Sequence, residues 1–176
     1  FPGPPVGVLN PIAGDEHGGQ IVLTAGHPDV QIDQQLVDKG VIFTDYLTAQ
    51  REYPEILAKI LGKIVNPGEG KLSALAAAMA VNGVFLYIPK NLVLEHPLHS
   101  ILWGAGSQIA YFSHLLIFLD EGSSATYVHE SASHTEQWGQ TLHSGIVEIL
   151  VSQDANLRFV ELQSWGTHVW NFTRER

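Results

Sequence analysis

The chain has 176 residues, a length that suits one domain of ordinary size. Nine basic and eighteen acidic side chains give a net charge of -9 at pH 7, which excludes a cationic surface that follows a nucleic acid backbone. The chain has no cysteine, so a disulfide framework, a thiolate metal site and a cysteine nucleophile are excluded as well.

The hydropathy pattern predicts no contact with a membrane. No uncharged apolar stretch approaches the roughly 18 residues that a spanning helix needs, because Asn82 and Gly83 interrupt the most hydrophobic region. The chain begins at Phe1 with no signal-like segment, so we expect no secretory signal and expect the chain to be an excised piece. The missing cysteines are compatible with a reducing compartment, and we expect a cytoplasmic location.

Residues 1–82 are predicted to form an extended and helical N-terminal region. The first thirty residues are rich in proline and glycine, which favours turns and extended backbone. Three short helices are then expected, and their boundaries follow from capping and proline signals. The first begins near Leu47 after the capping candidates Thr44 and Asp45, the second begins at Pro54, and the third runs from about Lys71 through the alanine-rich segment. The pair Asn82-Gly83 is expected to end the third helix.

Residues 83–176 are predicted to contain strands and no helix. Apolar segments follow one another at short intervals, namely VFLYIP, NLVLE, SILW, IAYF, LLIFLDE, ATYVHE, IVEILV, NLRFVEL and HVWNF. Short polar turns at residues 89–91, 120–124 and 152–156 join pairs of them. The repeated strand-and-turn unit favours a layered β-solenoid or a β-sandwich.

The nine histidines suggest a metal site, but their spacing argues against it. Glu95, His96 and His99 lie close in sequence; in a strand His96 and His99 point to opposite faces, since three is an odd offset. His99, His114 and His129 are fifteen residues apart, an offset that matches no turn spacing in the chain. Structural or surface roles are therefore favoured, and the metal-ligand pattern of cupins is absent.

Two further arrangements resemble catalytic groups. Asp120 and Glu121 could serve as the acid and base of a lyase or glycosidase, but they precede a glycine in a turn, where acidic residues are common. Ser144 follows His143, yet the G-x-S-x-G pattern of a nucleophile elbow is missing. A turn role and a structural role are the favoured interpretations.

Nucleotide binding through a phosphate loop is not expected. Gly68, Gly70 and Lys71 resemble a fragment of that loop, but the glycine spacing is wrong and Leu72 stands where a hydroxyl residue is required. The tryptophans could form a stacking platform, but without positive charge they are expected to fill the core or a protein interface. They are Trp103, Trp138, Trp165 and Trp170.

Several separated segments resemble one known family, the SufB and SufD scaffold proteins of the SUF iron–sulfur cluster assembly system. The matching segments lie in the family's order at residues 39–45, 83–98, 115–130, 142–165 and 169–176. They include the Pro89-Lys90 turn and the pair Gln163 and Trp165. The absence of cysteine makes the chain most similar to SufD. Three positions depart from the family pattern, namely His114, Leu115 and Ser164.

The resemblance implies a mostly β fold, a right-handed parallel β-helix preceded by a small helical N-terminal region. Residues 83–176 would be the first part of that core, truncated at the C-terminus. It also implies a non-catalytic scaffold that pairs with a SufB-like subunit and a SufC-like ATPase. No catalytic, cofactor-binding or metal-binding residue is carried over, and an iron–sulfur cluster is expected only in the assembled complex.

Two further expectations remain open at the level of sequence. The alternative function is a β-helical or cupin-like enzyme that acts on a carbohydrate or small acid with a histidine-bound metal. Self-association of this chain is expected as well, because one copy would leave the apolar rung near residues 165–172 uncovered.

Overall fold

The computed structural model describes residues 3–9, 17–25, 27–104 and 106–176. Ten strands lie in this part of the chain, and five short α-helices lie among them or precede them. The helices are α1 (Val6–Leu9), α2 (Gln34–Asp38), α3 (Tyr46–Glu52), α4 (Pro54–Leu57) and α5 (Lys71–Met79), with a 3-10 helix at Pro67–Glu69. The strands are β1 (Gly19–Leu23), β2 (Asp29–Ile32), β3 (Ile42–Asp45), β4 (Asn82–Ile88), β5 (Leu98–Trp103), β6 (Ala110–Leu119), β7 (Ser124–Ala132), β8 (Thr141–Val151), β9 (Asn156–Ser164) and β10 (Val169–Glu175).

The strands form two five-stranded sheets that share one apolar core. Sheet A has the order β2-β1-β5-β7-β9, and sheet B has the order β10-β8-β6-β4-β3. From β4 onward, consecutive strands alternate between the two sheets, so the neighbours within each sheet run parallel. The N-terminal strands add antiparallel pairs, β2 with β1 in sheet A and β3 with β4 in sheet B.

The predicted fold class is wrong. The chain is a mixed α/β protein with two mixed sheets of parallel and antiparallel strands, and the right-handed parallel β-helix is not indicated. The error arises in the N-terminal region, residues 1–82, for which the sequence predicts extended chain and helices but no sheet strands. Apolar residues such as Ile21, Leu23 and Phe43 instead form strands that enter the sheets and bury their side chains in the shared core.

The predicted starts of the helices agree with the structure more closely than the predicted ends do. Asp45 caps α3 by accepting the N–H of Thr48 at 3.0 Å, and Pro54 occupies the first turn of α4. The second helix ends at Leu57. The third helix is α5, which ends at Met79, so Asn82 and Gly83 belong to β4 and do not end a helix.

The turn predictions explain how successive layers stack. Each of the three predicted turns contains one residue with positive φ, namely Asn91 (φ 58), Gly122 (φ 67) and Asp154 (φ 57). The N–H of Asn91 donates to the carbonyl of Glu121, and the N–H of Gly122 donates to that of Gln153. The predicted strand NLVLE is wrong, since Val93 makes only an isolated bridge to Ser124. The segments IAYF and LLIFL form one strand, β6.

The helices α3 and α4 cover the outer face of sheet B. Phe85, Leu116 and Phe118 on that face are buried against Tyr46 and Ile60. In the described part of the chain no helix is long and apolar enough to cross a membrane.

Candidate functional site

The space between the sheets is apolar at one end and polar at the other. Leu115, Ile117 and Leu119 of β6 belong to the shared core. Two residues before Leu115, the same face of β6 carries Ser113. Tyr111 lies on the same face, two residues before Ser113. Its register partner in β8 is His143, and the register partner of His143 in β10 is Asn171. The polar end is therefore built by side chains at equivalent positions of successive layers.

Five of these side chains form a hydrogen-bonded chain from sheet B to sheet A, here called the sheet-spanning chain. Ser113 Oγ lies 2.9 Å from His143 Nε2, and His143 Nδ1 bonds to Asn171 Oδ1. Asn171 Nδ2 donates to Gln163 Oε1 at 2.9 Å, and Gln163 Nε2 donates to Glu161 Oε1 at 3.0 Å. The chain begins at the buried Ser113 and reaches the exposed Gln163, so it connects the interior to the surface.

The contacts fix the protonation of His143. Because Asn171 Oδ1 is an acceptor, Nδ1 carries the proton, and Nε2 accepts the hydroxyl proton of Ser113. Burial lowers the pKa of His143, although the bond to Asn171 and the charge of Glu161 oppose that effect. The ring of Trp165 lies against the imidazole with the centroids 5.0 Å apart. A neutral imidazole in this setting can take up or give a proton and can orient a polar ligand.

A second polar group lies on the inner face of sheet A. Ser100 Oγ bonds to Tyr127 Oη and to His129 Nδ1, and Ser131 Oγ lies 3.2 Å from His129 Nε2. Burial, and to a smaller extent the nearby imidazoles of His143 and His99, lower the pKa of His129 to about 3. The inner face of sheet A therefore carries a neutral imidazole with a partner for each ring nitrogen.

The neutral state of these histidines makes stability depend on pH. The unfolded imidazole takes up a proton below its ordinary pKa of 6.5, whereas burial keeps His129 neutral down to about 3 and His99 down to about 4. The unfolded state then binds more protons than the folded one, so stability falls as pH falls through this window. We expect a loss of about 1.4 kcal/mol per pH unit for each histidine.

The measurement is the urea midpoint at several pH values between 6.5 and 4. His129→Gln should give a shallower slope than the natural protein, and His99→Gln should do the same. His96→Gln is the matched control, because His96 is exposed. Equal slopes for all four proteins would show that the buried histidines do not carry the pH dependence.

A buried carboxylate on the outer face of sheet B holds the segment between α4 and the 3-10 helix. Glu148 is 0% exposed, and its Oε1 accepts the N–H of Gly62 at 2.8 Å. Its Oε2 accepts the N–H of Ile64 at 2.8 Å and that of Val65 at 3.1 Å. Nε2 of His114 lies 2.8 Å from Oε1. We call these residues the Glu148 anchor.

The anchor favours an ionised carboxylate. Burial alone would raise the pKa of Glu148, but the bonds from His114 and from the three backbone N–H groups outweigh burial and lower it. Nδ1 of His114 is buried without a hydrogen-bond partner in the described ranges, which favours the neutral tautomer with its proton on Nε2. The anchor thus satisfies three main-chain donors that no helix or strand serves.

The histidines considered as metal ligands do not meet. His96 is exposed, whereas His99 is buried and bonds to Gln20, with Glu130 at 3.9 Å. His114 lies in sheet B and His129 in sheet A, so the fifteen-residue series is not aligned. In the described part of the chain, no group of three or more His, Asp or Glu side chains could hold a metal ion.

The other candidate groups have structural contacts. Asp120 and Glu121 both lie within the predicted turn at residues 120–124; Asp120 accepts the hydroxyl proton of Tyr87 at 3.0 Å, and Glu121 pairs with Lys90 at 2.9 Å. Ser144 donates to the carbonyl of Leu72, whereas the adjacent residue His143 points into the sheet-spanning chain.

The tryptophans do not form one platform. Trp103 is buried, and Trp165 packs inside against His143. Trp138 is 80% exposed and Trp170 is 60% exposed, with the indole N–H of Trp170 bonded to Gln140. The core role expected for the tryptophans is confirmed for Trp103 and Trp165, and an interface role for the other two rings stays a prediction.

Sequence reasoning missed the sheet-spanning chain and the Glu148 anchor. The signal that could have found them is the separation between layers. Ser113 and His143 are 30 residues apart, His143 and Asn171 are 28 apart, and His114 and Glu148 are 34 apart. Each pair joins residues of neighbouring strands in sheet B. A search for polar residues separated in sequence by the distance from one strand of sheet B to the next would therefore have selected them.

Two family models match consecutive parts of the chain. Residues 23–99 match the SufBD protein N-terminal region, and residues 102–176 match the SufBD core domain of the SUF system for FeS cluster assembly.

Curated relatives agree with these matches. An iron–sulfur cluster assembly SufBD family protein of Staphylococcus saprophyticus is 35% identical over 145 residues, which is 82% of this chain and 31% of the relative. Proteins of the same description in Staphylococcus haemolyticus and Staphylococcus aureus are 34% identical over the same lengths. The chain thus spans about a third of the length of these relatives. The two consecutive matches and the relatives together show that the chain belongs to the SufBD family of iron–sulfur cluster assembly proteins.

Proposed function

We propose that this chain is part of a SufD-like scaffold subunit that works with a SufB-like subunit and a SufC-like ATPase. The observation that carries the proposal is the pair of consecutive SufBD matches, which together extend from residue 23 to residue 176. The subunit assembles no cluster by itself and performs no reaction of its own. The cluster is cargo of the assembled complex, built in the cytoplasm.

The assignment to SufD rests on chemistry. The 176 residues contain no cysteine, the side chain that most often binds iron–sulfur clusters. SufB members usually carry cysteines, so a cysteine-free chain is more similar to SufD. Buried histidines in this chain are engaged by serine, asparagine, glutamine and glutamate side chains, which supports a structural use of the interior.

The architecture supports a scaffold role. Parallel pairing joins the strands of successive layers, and the stacked turns tie each layer to the next through main-chain hydrogen bonds. Such a layered body resists bending because each layer is bonded to its neighbours along its whole width. A rigid body of this kind is suited to hold partner subunits at a fixed separation.

The test is copurification of the natural full-length protein with the SufB-like and SufC-like proteins of the same organism. We expect a stable complex of the three on size-exclusion chromatography, and we expect cluster formation in the complex to fail when this subunit is left out. The full-length protein alone should hold no stoichiometric iron or zinc after purification. Absence of a complex, or equal cluster formation without this subunit, would contradict the proposal.

A further inference from the structure

The outer face of β10 presents two aromatic rings and one cation to solvent. Trp170, Phe172 and Arg174 alternate with the inward-facing Asn171, so all three lie on the outer face. Trp170 is 60% exposed and Phe172 is 43% exposed. Neighbouring large apolar side chains that remain in water often mark a surface that another protein covers.

Two clefts on this face share Phe172 as a wall. One cleft, of 480 Å³, is lined mainly by apolar side chains, which include Leu142 and Trp170. The other cleft, of 380 Å³, is lined by Leu72 at the start of α5 and by Arg174. The surface therefore passes from an apolar part to a part that lies among basic side chains.

Four cationic side chains surround the second cleft. Arg174 lines the cleft, and Lys71 is the first residue of α5. Arg176 donates to the carbonyl of Ile64 at 3.5 Å, which places Lys63, the residue before Ile64, at the same corner. All four are exposed, and they are four of the nine Lys and Arg residues of a chain that has twice as many acidic residues. We call Lys63, Lys71, Arg174 and Arg176 the basic patch.

The acidic side chains near the basic patch already have partners. Glu69 pairs with Arg176 at 2.6 Å, and the buried Glu148 is held in the Glu148 anchor. Glu175, which also lines the second cleft, bonds to Glu161. Within the described ranges the other three cations of the patch form no ion pair. The surface therefore offers three cations without a carboxylate partner.

The charge of the basic patch decides which kind of partner fits. A second copy docked on this surface by twofold symmetry would place one basic patch against the other, and like charges across an interface repel. The net charge of -9 disfavours a nucleic acid. A protein segment with carboxylates and an apolar side chain, by contrast, could pair with the cations and fill the apolar cleft. Aromatic and arginine side chains are also those that contribute most to binding in protein interfaces.

We propose that the outer face of β10 and the basic patch dock an acidic segment of a partner subunit, with an apolar side chain of that segment against Phe172. The inference rests on the proposed function, since it takes the occupant from the subunits of the assembly complex. Opposite charges across an interface mainly speed association, whereas buried aromatic contacts mainly slow dissociation.

The test measures binding of the natural full-length protein to the SufB-like and SufC-like proteins of the same organism by surface plasmon resonance. The double variant Lys63→Glu with Lys71→Glu should weaken binding at low salt about tenfold, chiefly through slower association. The double variant Lys39→Glu with Arg158→Glu is the matched control, because it makes the same change of net charge at exposed positions outside the patch. Its affinity should change less than about twofold. Phe172→Ala should also weaken binding about tenfold, through faster dissociation.

The urea midpoint of each variant should match that of the natural protein, because all the substituted residues are exposed. If the natural protein binds neither subunit, the proposed function fails and this inference fails with it. If the natural protein binds a subunit but the two double variants behave alike, the proposed function stands and the docking surface is overturned. Unchanged partner binding with altered self-association in the patch variant would identify a second copy as the occupant and would overturn the proposal as well.

Discussion

Glu148→Ala is expected to lower the free energy of unfolding by about 3–5 kcal/mol, the cost of breaking a fully buried charged network. The variant leaves three main-chain N–H groups without an acceptor, those of Gly62, Ile64 and Val65. It also leaves His114 without its carboxylate partner. The expected result is a lower urea midpoint at pH 7, measured on the natural full-length protein.

The dependence on pH distinguishes the anchor from simple loss of packing. The pKa of Glu148 is lowered in the folded state, so its contribution is fully present above the ordinary carboxyl pKa of 4.5. The contribution is lost as pH falls through the lowered folded pKa. The difference in stability between the natural protein and Glu148→Gln should therefore shrink as the pH is brought below 4.5.

The control for both variants is Glu121→Gln. Glu121 is an exposed turn residue that pairs with Lys90, and solvent screens an exposed pair of this kind so that it contributes little to stability. We expect little change of the midpoint in this control. If Glu148→Ala were as stable as Glu121→Gln, the anchor would not hold the segment, and the N–H groups would find other partners.

The anchor also shows what sequence could and could not predict. Side chains alternate between the two faces of a strand, so Glu148 in IVEILV lies on the face opposite to that of its core-facing neighbour Val147. A charged residue at this position suggests that its face of the strand is exposed to solvent. That face is covered, because residues 62–65, more than eighty positions earlier, fold back onto it. The partners are main-chain groups, which carry no signature in the sequence. Burial of this glutamate therefore could not be deduced from its own neighbourhood.

The parts of the fold that sequence predicted are those governed by local chemistry. The Asp45 cap, the start of α4 at Pro54 and the turn at Gly122 follow from side-chain and backbone preferences of a few residues. The assignment of strands to two sheets depends on contacts between distant segments. The pairing of β1 with β5 is such a contact, and proline and glycine around β1 concealed its strand pattern.

The sheet-spanning chain could not be predicted from the sequence for a similar reason. His143 was considered as a partner for the adjacent Ser144, but adjacent residues of a strand face opposite sides. The serine that bonds to it is Ser113, in the neighbouring strand of sheet B. A polar interior is assembled across layers, so its members become visible only when the register of the strands is known.

Gly83→Ala is expected to cost at least about 3 kcal/mol or to prevent folding, because the overpacking involves main chain that cannot rotate away. A Cβ at this position would lie 2.0 Å from the carbonyl oxygen of His114, and the backbone has φ +156, a value that residues with side chains rarely adopt. Gly70→Ala is the matched control, since its Cβ meets nothing within 4 Å. A small effect of Gly83→Ala on the urea midpoint would contradict the tight approach of β4 to β6.

The two large effects should not be additive. Gly83 is the register partner of His114 across β4 and β6, so forcing these strands apart also moves the imidazole that bonds to Glu148. Substitutions that share a partner usually show coupling of about 0.5–3 kcal/mol. Where Gly83→Ala still folds, adding Glu148→Ala should therefore cost less than it does alone. The double variant is compared with the two single variants by urea unfolding. A full additional loss would show that the segment held by Glu148 is fixed to sheet B independently of the pairing of β4 with β6.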